Sequence, residues 1–408
     1  MSHSHGNGFQ QVAISDFCET GSGGTPSRAK ASLYFGGSIP WVKSGELRES
    51  VITRTEETIT EAGLNESAAK LLPRNTLLVA LYGATVGRIG VLGIEAATNQ
   101  AVCHIIPNEQ RADRTYLFYA LQSQVPFWLS KRVGGGQPNI SQGIIKDTKI
   151  PLPYPADPVR SMREQKRIAA ILDKADVLRR KWQQAISFTD DLSNSLYASY
   201  SKRANLRPRT ISELLSSRVL LAHKDGNFGS SYPRSHEFGA EGIPFLSAKH
   251  VAENGTILTV DVPRLNEEKS RTLPFGWIES GDVLLSHNAT VGRVGLYRGE
   301  YSEALIGTSL TCFRPNTEKL ASEFLFAALR APYFQRQLEQ QMKQTTRNQV
   351  PITAQRRLSL VIPPLAIQED FGRQSRVIHK LRENHVAAAD VSNELFTSLV
   401  QRAFRGDL

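Results

Sequence analysis

From Ile168 onward, apolar side chains return at alternating intervals of three and four: Ile168, Ile171, Ala175, Leu178, Trp182, Ala185, Thr189, Leu192, Leu196 and Ser199. Eight of the ten are apolar, which predicts a long helix with a coiled-coil seam. The same spacing recurs 203 residues later through Phe371, Gln374, Ile378, Leu381, His385, Ala388, Ser392, Leu395, Leu399 and Arg402, with six apolar positions. One long amphipathic helix cannot bury its stripe alone. Either each helix packs on its own domain, or the two form an antiparallel pair related by a pseudo-two-fold axis, and the pair is the reading we prefer. Outside these segments the pattern changes to short β-type runs between Gly and Asn turns, as at Thr76 to Leu81, Ala101 to Ile106, Val283 to Ser286 and Leu310 to Phe313. Helical patterns at Tyr116 to Gln124 and Glu323 to Leu329 interrupt them, so both domains read as mixed α and β.

The chain is written twice. Ala84-Thr85-Val86-Gly87-Arg88-Ile89-Gly90 returns as Ala289-Thr290-Val291-Gly292-Arg293-Val294-Gly295, and Ile39-Pro40-Trp41 returns as Ile243-Pro244-Phe245. Such self-similarity outranks local signals in deciding architecture. Prolines 151, 153, 155 and 158, Pro208, and Pro363-Pro364 mark the joints. The expected organisation is a domain over 1–158, a helix over 159–206, a second domain over 207–363 and a second helix over 364–408. The fold class is α+β: two mixed domains in tandem, separated by two long helices.

Composition narrows the class. The 408 residues are 40% hydrophobic and 22% charged, which excludes wholesale disorder. Cys18, Cys103 and Cys312 lie far apart and form no CxxC pair, which argues against a disulfide framework or a Cys-based zinc site. There is no signal-peptide pattern and no apolar run of bilayer length, so a cytoplasmic protein without a membrane partner is expected. The net charge of +10 suggests a polyanionic partner. Its distribution tempers this: residues 1–160 carry 15 basic and 13 acidic side chains, residues 210–362 carry 17 and 15, and residues 161–209 carry 11 and 5. Neither domain would hold DNA tightly on net charge alone.

Taken in order and in duplicate, several motifs point to one family: Gly23-Gly24-Thr25-Pro26-Ser27-Arg28, Ile39-Pro40-Trp41, the two ATVGR loops, Glu164-Gln165-Lys166-Arg167-Ile168, and Ser398-Leu399-Val400-Gln401-Arg402-Ala403-Phe404-Arg405-Gly406. The chain resembles the specificity subunit of Type I restriction-modification enzymes over nearly its whole length. The resemblance implies two target recognition domains, each reading half of a bipartite double-stranded DNA site, with paired helices as spacer. It also implies two modification (methyltransferase) subunits docked on this chain and restriction subunits joining them, with S-adenosylmethionine, ATP and magnesium held by those partners. The second copy carries Gln368-Glu369 where the first has Glu164-Gln165, which leaves the docking of the two helix starts open.

Candidate DNA contacts follow from donor chemistry. The glycine-bearing ATVGR loops could approach phosphates, with Tyr82, Thr85 and Arg88 in the first copy and Asn288, Thr290 and Arg293 in the second; the alternative is a structural turn. A segment nearly identical in both copies cannot make them read different sequences. Base readers are therefore sought where the copies differ: Arg28, Lys43, Asn99, Gln100, Gln137 and Asn139 against Lys249, His250, Thr308, Ser309, Arg347 and Asn348. Taken singly, each is more often a solvated or capping residue than a DNA contact. Because the copies differ, the two half-sites should differ and the target should be non-palindromic.

For chemistry of its own the chain offers little: no Asn-Pro-Pro-Tyr or Asp-Pro-Pro-Tyr element and no P-loop. Asp261, Glu267 and Lys269 mimic the set of a metal-dependent nuclease, and His3 and His5 lie in a terminus. A recognition module without catalytic or metal sites is expected. A recognition subunit serving a different phage-defence methyltransferase is the closest alternative, and a stand-alone nuclease a more distant one.

Overall fold

The computed structural model describes residues 8–132, 139–203, 206–343 and 348–408, so Gln137, Arg347, His3 and His5 lie outside the described residues. Contacts divide the chain into two units. The first runs up to Gln183 and includes Ala387–Leu408; the second is Gln184–Val386.

In the first unit the strands are β1 (Phe9–Ala13), β2 (Cys18–Ser22), β3 (Phe35–Val42), β4 (Val51–Ile52), β5 (Glu57–Ile59), β6 (Leu77–Ala80), β7 (Ile89–Leu92), β8 (Ala97–Thr98) and β9 (Val102–Pro107). Helix α1 (Arg114–Ser130), strand β10 (Lys149–Pro153) and the long helix α2 (Pro158–Arg203) follow. One sheet has the order β2-β9-β6-β7-β4 and a smaller one β5-β3-β8. All four residues of β6 are buried, as the unbroken apolar run requires for a central strand covered on both faces. Asp113 starts α1 by accepting hydrogen bonds from the Thr115 and Tyr116 backbone N–H groups, at 3.0 and 2.9 Å.

The second unit repeats this plan with β11 (Arg209–Thr210), β12 (Leu220–Asp225), β13 (Phe238–Gly239), β14 (Ile243–Leu246), β15 (Arg264–Leu265), β16 (Trp277–Ile278), β17 (Val283–Ser286), β18 (Val294–Leu296), β19 (Ala304–Ile306) and β20 (Leu310–Pro315). Helix α3 (Ser322–Arg330), strand β21 (Ser359–Leu360) and helix α4 (Leu365–Arg405) complete it. Its sheets run β12-β20-β17-β18 and β13-β15-β14-β19-β16.

Within each unit, a segment of α2 packs antiparallel to a segment of α4. In the first, Arg167 donates to the Leu408 carbonyl at 2.6 Å, and the Arg179 guanidinium lies 5.0 Å from the Phe396 ring centre. In the second, Arg382 meets Asp190 at 2.7 Å, while Tyr200 bonds Asp370. Residue numbers rise on one helix as they fall on the other.

The buried stripe corrects the seam. Ile168, Ala175, Thr189, Phe371, Ile378 and Ser392 are buried as expected, but Leu178, Leu192, Leu381 and Leu395 are 42–50% exposed and Ile171 is only half-buried. The next residue along is more buried in each case: Leu172 is buried and Arg179, Ser193, Arg382 and Phe396 are half-buried, while Tyr200, Ala389 and Ala403, one past Ser199, Ala388 and Arg402, are buried. The true interval order is four then three. Both orders satisfy a 3.5-residue period, and apolar residues at 178 and 192 favoured the wrong one. Arg179 occupies a seam position by lying over Phe396 and pairing with Asp176 at 2.6 Å, a long stem covering apolar surface while its head stays charged.

The helix starts dock alike. Gln165 and Gln368, 203 residues apart, are both fully buried. Gln165 accepts from Asp113 N at 2.8 Å and donates to Arg111 O at 2.9 Å; Gln368 accepts from Ala321 N at 2.8 Å and donates to Lys319 O at 3.0 Å.

Candidate nucleic-acid interface

In each unit, backbone hydrogen bonds that recur in both join the strand ends beside Lys43, Asn99, Gln100 and Asn139, or beside Thr308, Ser309 and Asn348, into one strip, termed the ridge. In the first unit Asn99 N bonds Val42 O (2.9 Å), Leu81 N bonds Ala101 O (2.8 Å) and Ile140 N bonds Leu81 O (2.7 Å), so the ends of β3, β6 and β8 meet residue 139. Tyr82 and Asn139 form a bridge there, and Gln100 accepts from the Thr25 hydroxyl. In the second unit Gly307 N bonds Leu246 O (2.8 Å), His287 N bonds Ser309 O (3.1 Å) and Val350 N bonds His287 O (2.9 Å). Asn288 bridges Gln349, and Asn348 O accepts from Ala289 N at 3.1 Å.

These bonds reset the comparison of copies. Asn99 corresponds to Gly307 and Gln100 to Thr308, while Ser309 matches Ala101, one position away from the pairing that sequence spacing suggested. Ser309 is occupied structurally, its hydroxyl accepting from Ala248 N at 2.8 Å. His250 is 2% exposed and accepts from Ser247 N at 2.9 Å through Nδ1, as Glu46 does from Lys43 N at 2.8 Å. Both cap the turn after the strand, and burial holds the His250 imidazole below its ordinary pKa. Lys249 beside it is exposed.

The ATVGR segments are hairpin loops, β6 to β7 and β17 to β18. Thr85 O accepts from Arg88 N at 2.9 Å, and Thr290 N bonds Asn288 O at 2.8 Å. Gly83 and Ala289 both adopt positive φ, 84° and 62°. The two arginines leave the ridge and pair with acids: Arg88 with Glu49 at 2.7 Å, Arg293 with Glu253 at 3.4 Å. Arg88 lines a cavity of about 660 Å³ with α1 residues such as Val125 and α4 residues such as Phe396. The equivalent cavity in the second unit, about 370 Å³, is lined by Arg293, Arg330 and Gln335.

Sequence reasoning missed Glu57. Its carboxylate takes Arg28 at 2.8 Å and Lys43 at 3.0 Å, and Lys43 also reaches Glu56 at 2.8 Å, so the ridge cations of the first unit are neutralised on site. These ion pairs hold the Glu57 carboxyl below and the Lys43 ammonium above their ordinary pKa. The Glu56-Glu57 pair in a β-type run was the available signal. Of the nuclease-like trio, Glu267 pairs with Arg271 (3.1 Å) and Lys269 with Glu237 (3.5 Å). No cluster of three or more His, Cys, Asp or Glu side chains suited to a metal occurs among the described residues. Nor does any helix among them have the length and apolarity to cross a membrane.

The family model for the Type I restriction modification DNA specificity domain matches residues 7–186 and 237–380. The chain belongs to this family. The two matches fall one in each half of the chain, in line with the duplicated plan. Among specificity-domain relatives, the specificity subunit of Type I restriction enzyme EcoR124I/EcoR124II of Escherichia coli is 27% identical over 183 residues, covering 44% of this chain and 43% of that protein. The MjaVIII specificity subunit of Methanocaldococcus jannaschii is 22% identical over 387 residues, covering 92% of this chain and 87% of the relative. The chain thus aligns with less than half the length of the first and most of the second. Its fold matches the crystal structure of the Type I restriction-modification S subunit from M. genitalium at a TM-score of 0.57 and 15% identity, covering 99% and 98% of the two chains.

Proposed function

We propose that this specificity-family chain reads a bipartite, non-palindromic DNA target for a Type I restriction-modification complex, one half-site per unit. The observation that carries the reading is the duplicated ridge, with the same backbone bonds in both units and different side chains at matched positions. A shared frame carrying unlike donors suits two half-sites of unlike sequence. The chain contributes recognition, and the adenine methyl transfer belongs to two modification subunits that hold S-adenosylmethionine. Restriction subunits supply the ATP- and magnesium-dependent step, all within the cytoplasm.

Partner docking has its own support. Helix α2 exposes Leu178, Phe188 and Leu192, at 42, 62 and 50%, and α4 exposes the residues 203 positions on, Leu381, Val391 and Leu395, at 43, 66 and 47%. Equivalent apolar positions on both helices suit two copies of one subunit.

The test is methylation mapping in cells that express the complete system. The expected result is one bipartite motif with unlike halves. Inserting one heptad into each long helix, about 10 Å of rise, should change the spacer by about three base pairs of 3.4 Å and leave both halves unchanged. An unchanged spacer, or a palindromic motif, overturns the reading.

A further inference from the structure

The two ridges part company most sharply around one aromatic ring. Trp41 pairs with Glu57 across β3–β5 and with Ala97 across β3–β8; Phe245 pairs with Leu305 across β14–β19 and donates its N–H to Pro263 O at 2.9 Å. Phe35 stands edge-on to Trp41 at 5.6 Å, and Phe238 edge-on to Phe245 at 5.4 Å. Trp41 therefore corresponds to Phe245, and Glu57 to Pro263.

Around that common ring the first unit places charge. The Arg28 guanidinium lies 4.1 Å from the Phe35 ring centre and 5.5 Å from that of Trp41, and Nη1 bonds Glu57 Oε2 at 2.8 Å. The other carboxylate oxygen takes Lys43. The second unit places aromatic surface there. Tyr232 stands edge-on to Phe245 at 6.1 Å, and Ser247 follows the strand where Lys43 does.

An arginine held this way suits base reading better than phosphate binding. Its planar fork is stacked on one face and bonded at one nitrogen, so little rotamer freedom is left to lose, yet the side chain remains 54% exposed and its other donors bond nothing among the described residues. Glu56 and Glu57 balance Arg28 and Lys43 charge for charge, which leaves weak net attraction for a phosphate chain. The fork geometry matches O6 and N7 of guanine in the major groove.

We propose that Arg28 reads a guanine in the half-site of the first unit, with Glu57 as its positioning residue, and that the second unit has no counterpart of this contact. The inference rests on the DNA-recognition reading above. Its test is selection from a randomised duplex library by the full chain assembled with its modification subunits, comparing wild type with R28Q, R28K and E57Q. Wild type should select a bipartite motif with a guanine in one half. R28Q should lose preference at that one position by about tenfold or more, R28K should fail to restore it, and the other half-site should stay unchanged. E57Q should relax the same position and steepen the salt dependence by about one counterion, a change that a purely structural role would not produce. Because Arg28 is on the surface, R28Q should melt with the wild type. If wild type selects a bipartite motif and R28Q keeps it intact, or weakens all positions of both halves equally as a phosphate contact would, the proposal is overturned while the family reading stands. A wild-type complex that selects no bipartite sequence overturns the underlying reading, and the proposal with it.

Discussion

Thr189 of α2 lies with its hydroxyl 3.0 Å from Nδ1 of His385 on α4. The same hydroxyl donates to the Ala185 carbonyl at 2.6 Å, so the His385 ring N–H is the donor across the helix pair. The residue equivalent to Thr189 in the second helix is Ser392, which is buried and whose Oγ has no hydrogen-bond partner among the described residues. One copy of the seam carries a satisfied polar contact and the other an unsatisfied one.

This asymmetry sets opposite signs for two substitutions. T189V should cost about 1–2 kcal/mol by stripping a buried acceptor from His385, whereas S392A should be neutral or stabilising by up to about 1 kcal/mol. Urea denaturation of the full chain measures both. A destabilising S392A would mean that the hydroxyl has a partner in solution.

The seam frame is testable by truncation. Leu172 is fully buried, and L172A should cost about 2–5 kcal/mol. L178A and L192A, at exposed positions, should each cost less than about 1 kcal/mol. Paired changes L192K and L395K should leave the isolated chain folded but reduce copurification of a modification subunit. If they retain it in full, the exposed positions are not the docking surface.

Stability should fall with acid through the second unit. His223 is buried against Phe313, donates to Gln355 at 3.1 Å, and is held down to about 4 by burial. Arg356 and His287 also disfavour its charge, and burial lowers His287 too. A histidine with a depressed folded pKa binds fewer protons folded than unfolded between about 4 and 6.5. Its contribution is thus complete above pH 6.5 and lost as pH falls, by about 3 kcal/mol in total. Urea midpoints measured from pH 7 to pH 4.5 should drop more steeply for wild type than for H223Q. Parallel profiles would remove His223 as the cause.

Gly24 sits where its Cβ would come 2.2 Å from the backbone at Ala68 and Ala69, and its carbonyl accepts from Trp41 Nε1 at 3.0 Å. G24A should therefore destabilise the first unit by about 2–3 kcal/mol. G45A, where a Cβ would meet nothing within 4 Å, should change stability little, and thermal melts compare the two.

The family, the duplication and the long helices were legible in the sequence, because repeated motifs and a 3.5-residue period are properties of residue order alone. Tertiary structure decided the rest. Spacing could not choose between a three-then-four and a four-then-three seam, since Leu178 and Leu192 are as apolar as Leu172; only the position of the facing helix segment buries one set. Nor could it align Asn99 with Gly307, because that match depends on which backbone N–H reaches Val42 beside β3–β8 and Leu246 beside β14–β19. His250 looked like a donor free for DNA and is a buried cap, and Arg28 looked free but is bonded to Glu57, which lies 29 positions along the chain. Residue order fixes which groups are available and how they repeat; which of them face each other, and so which charges remain open to a ligand, depends on contacts between residues far apart in that order.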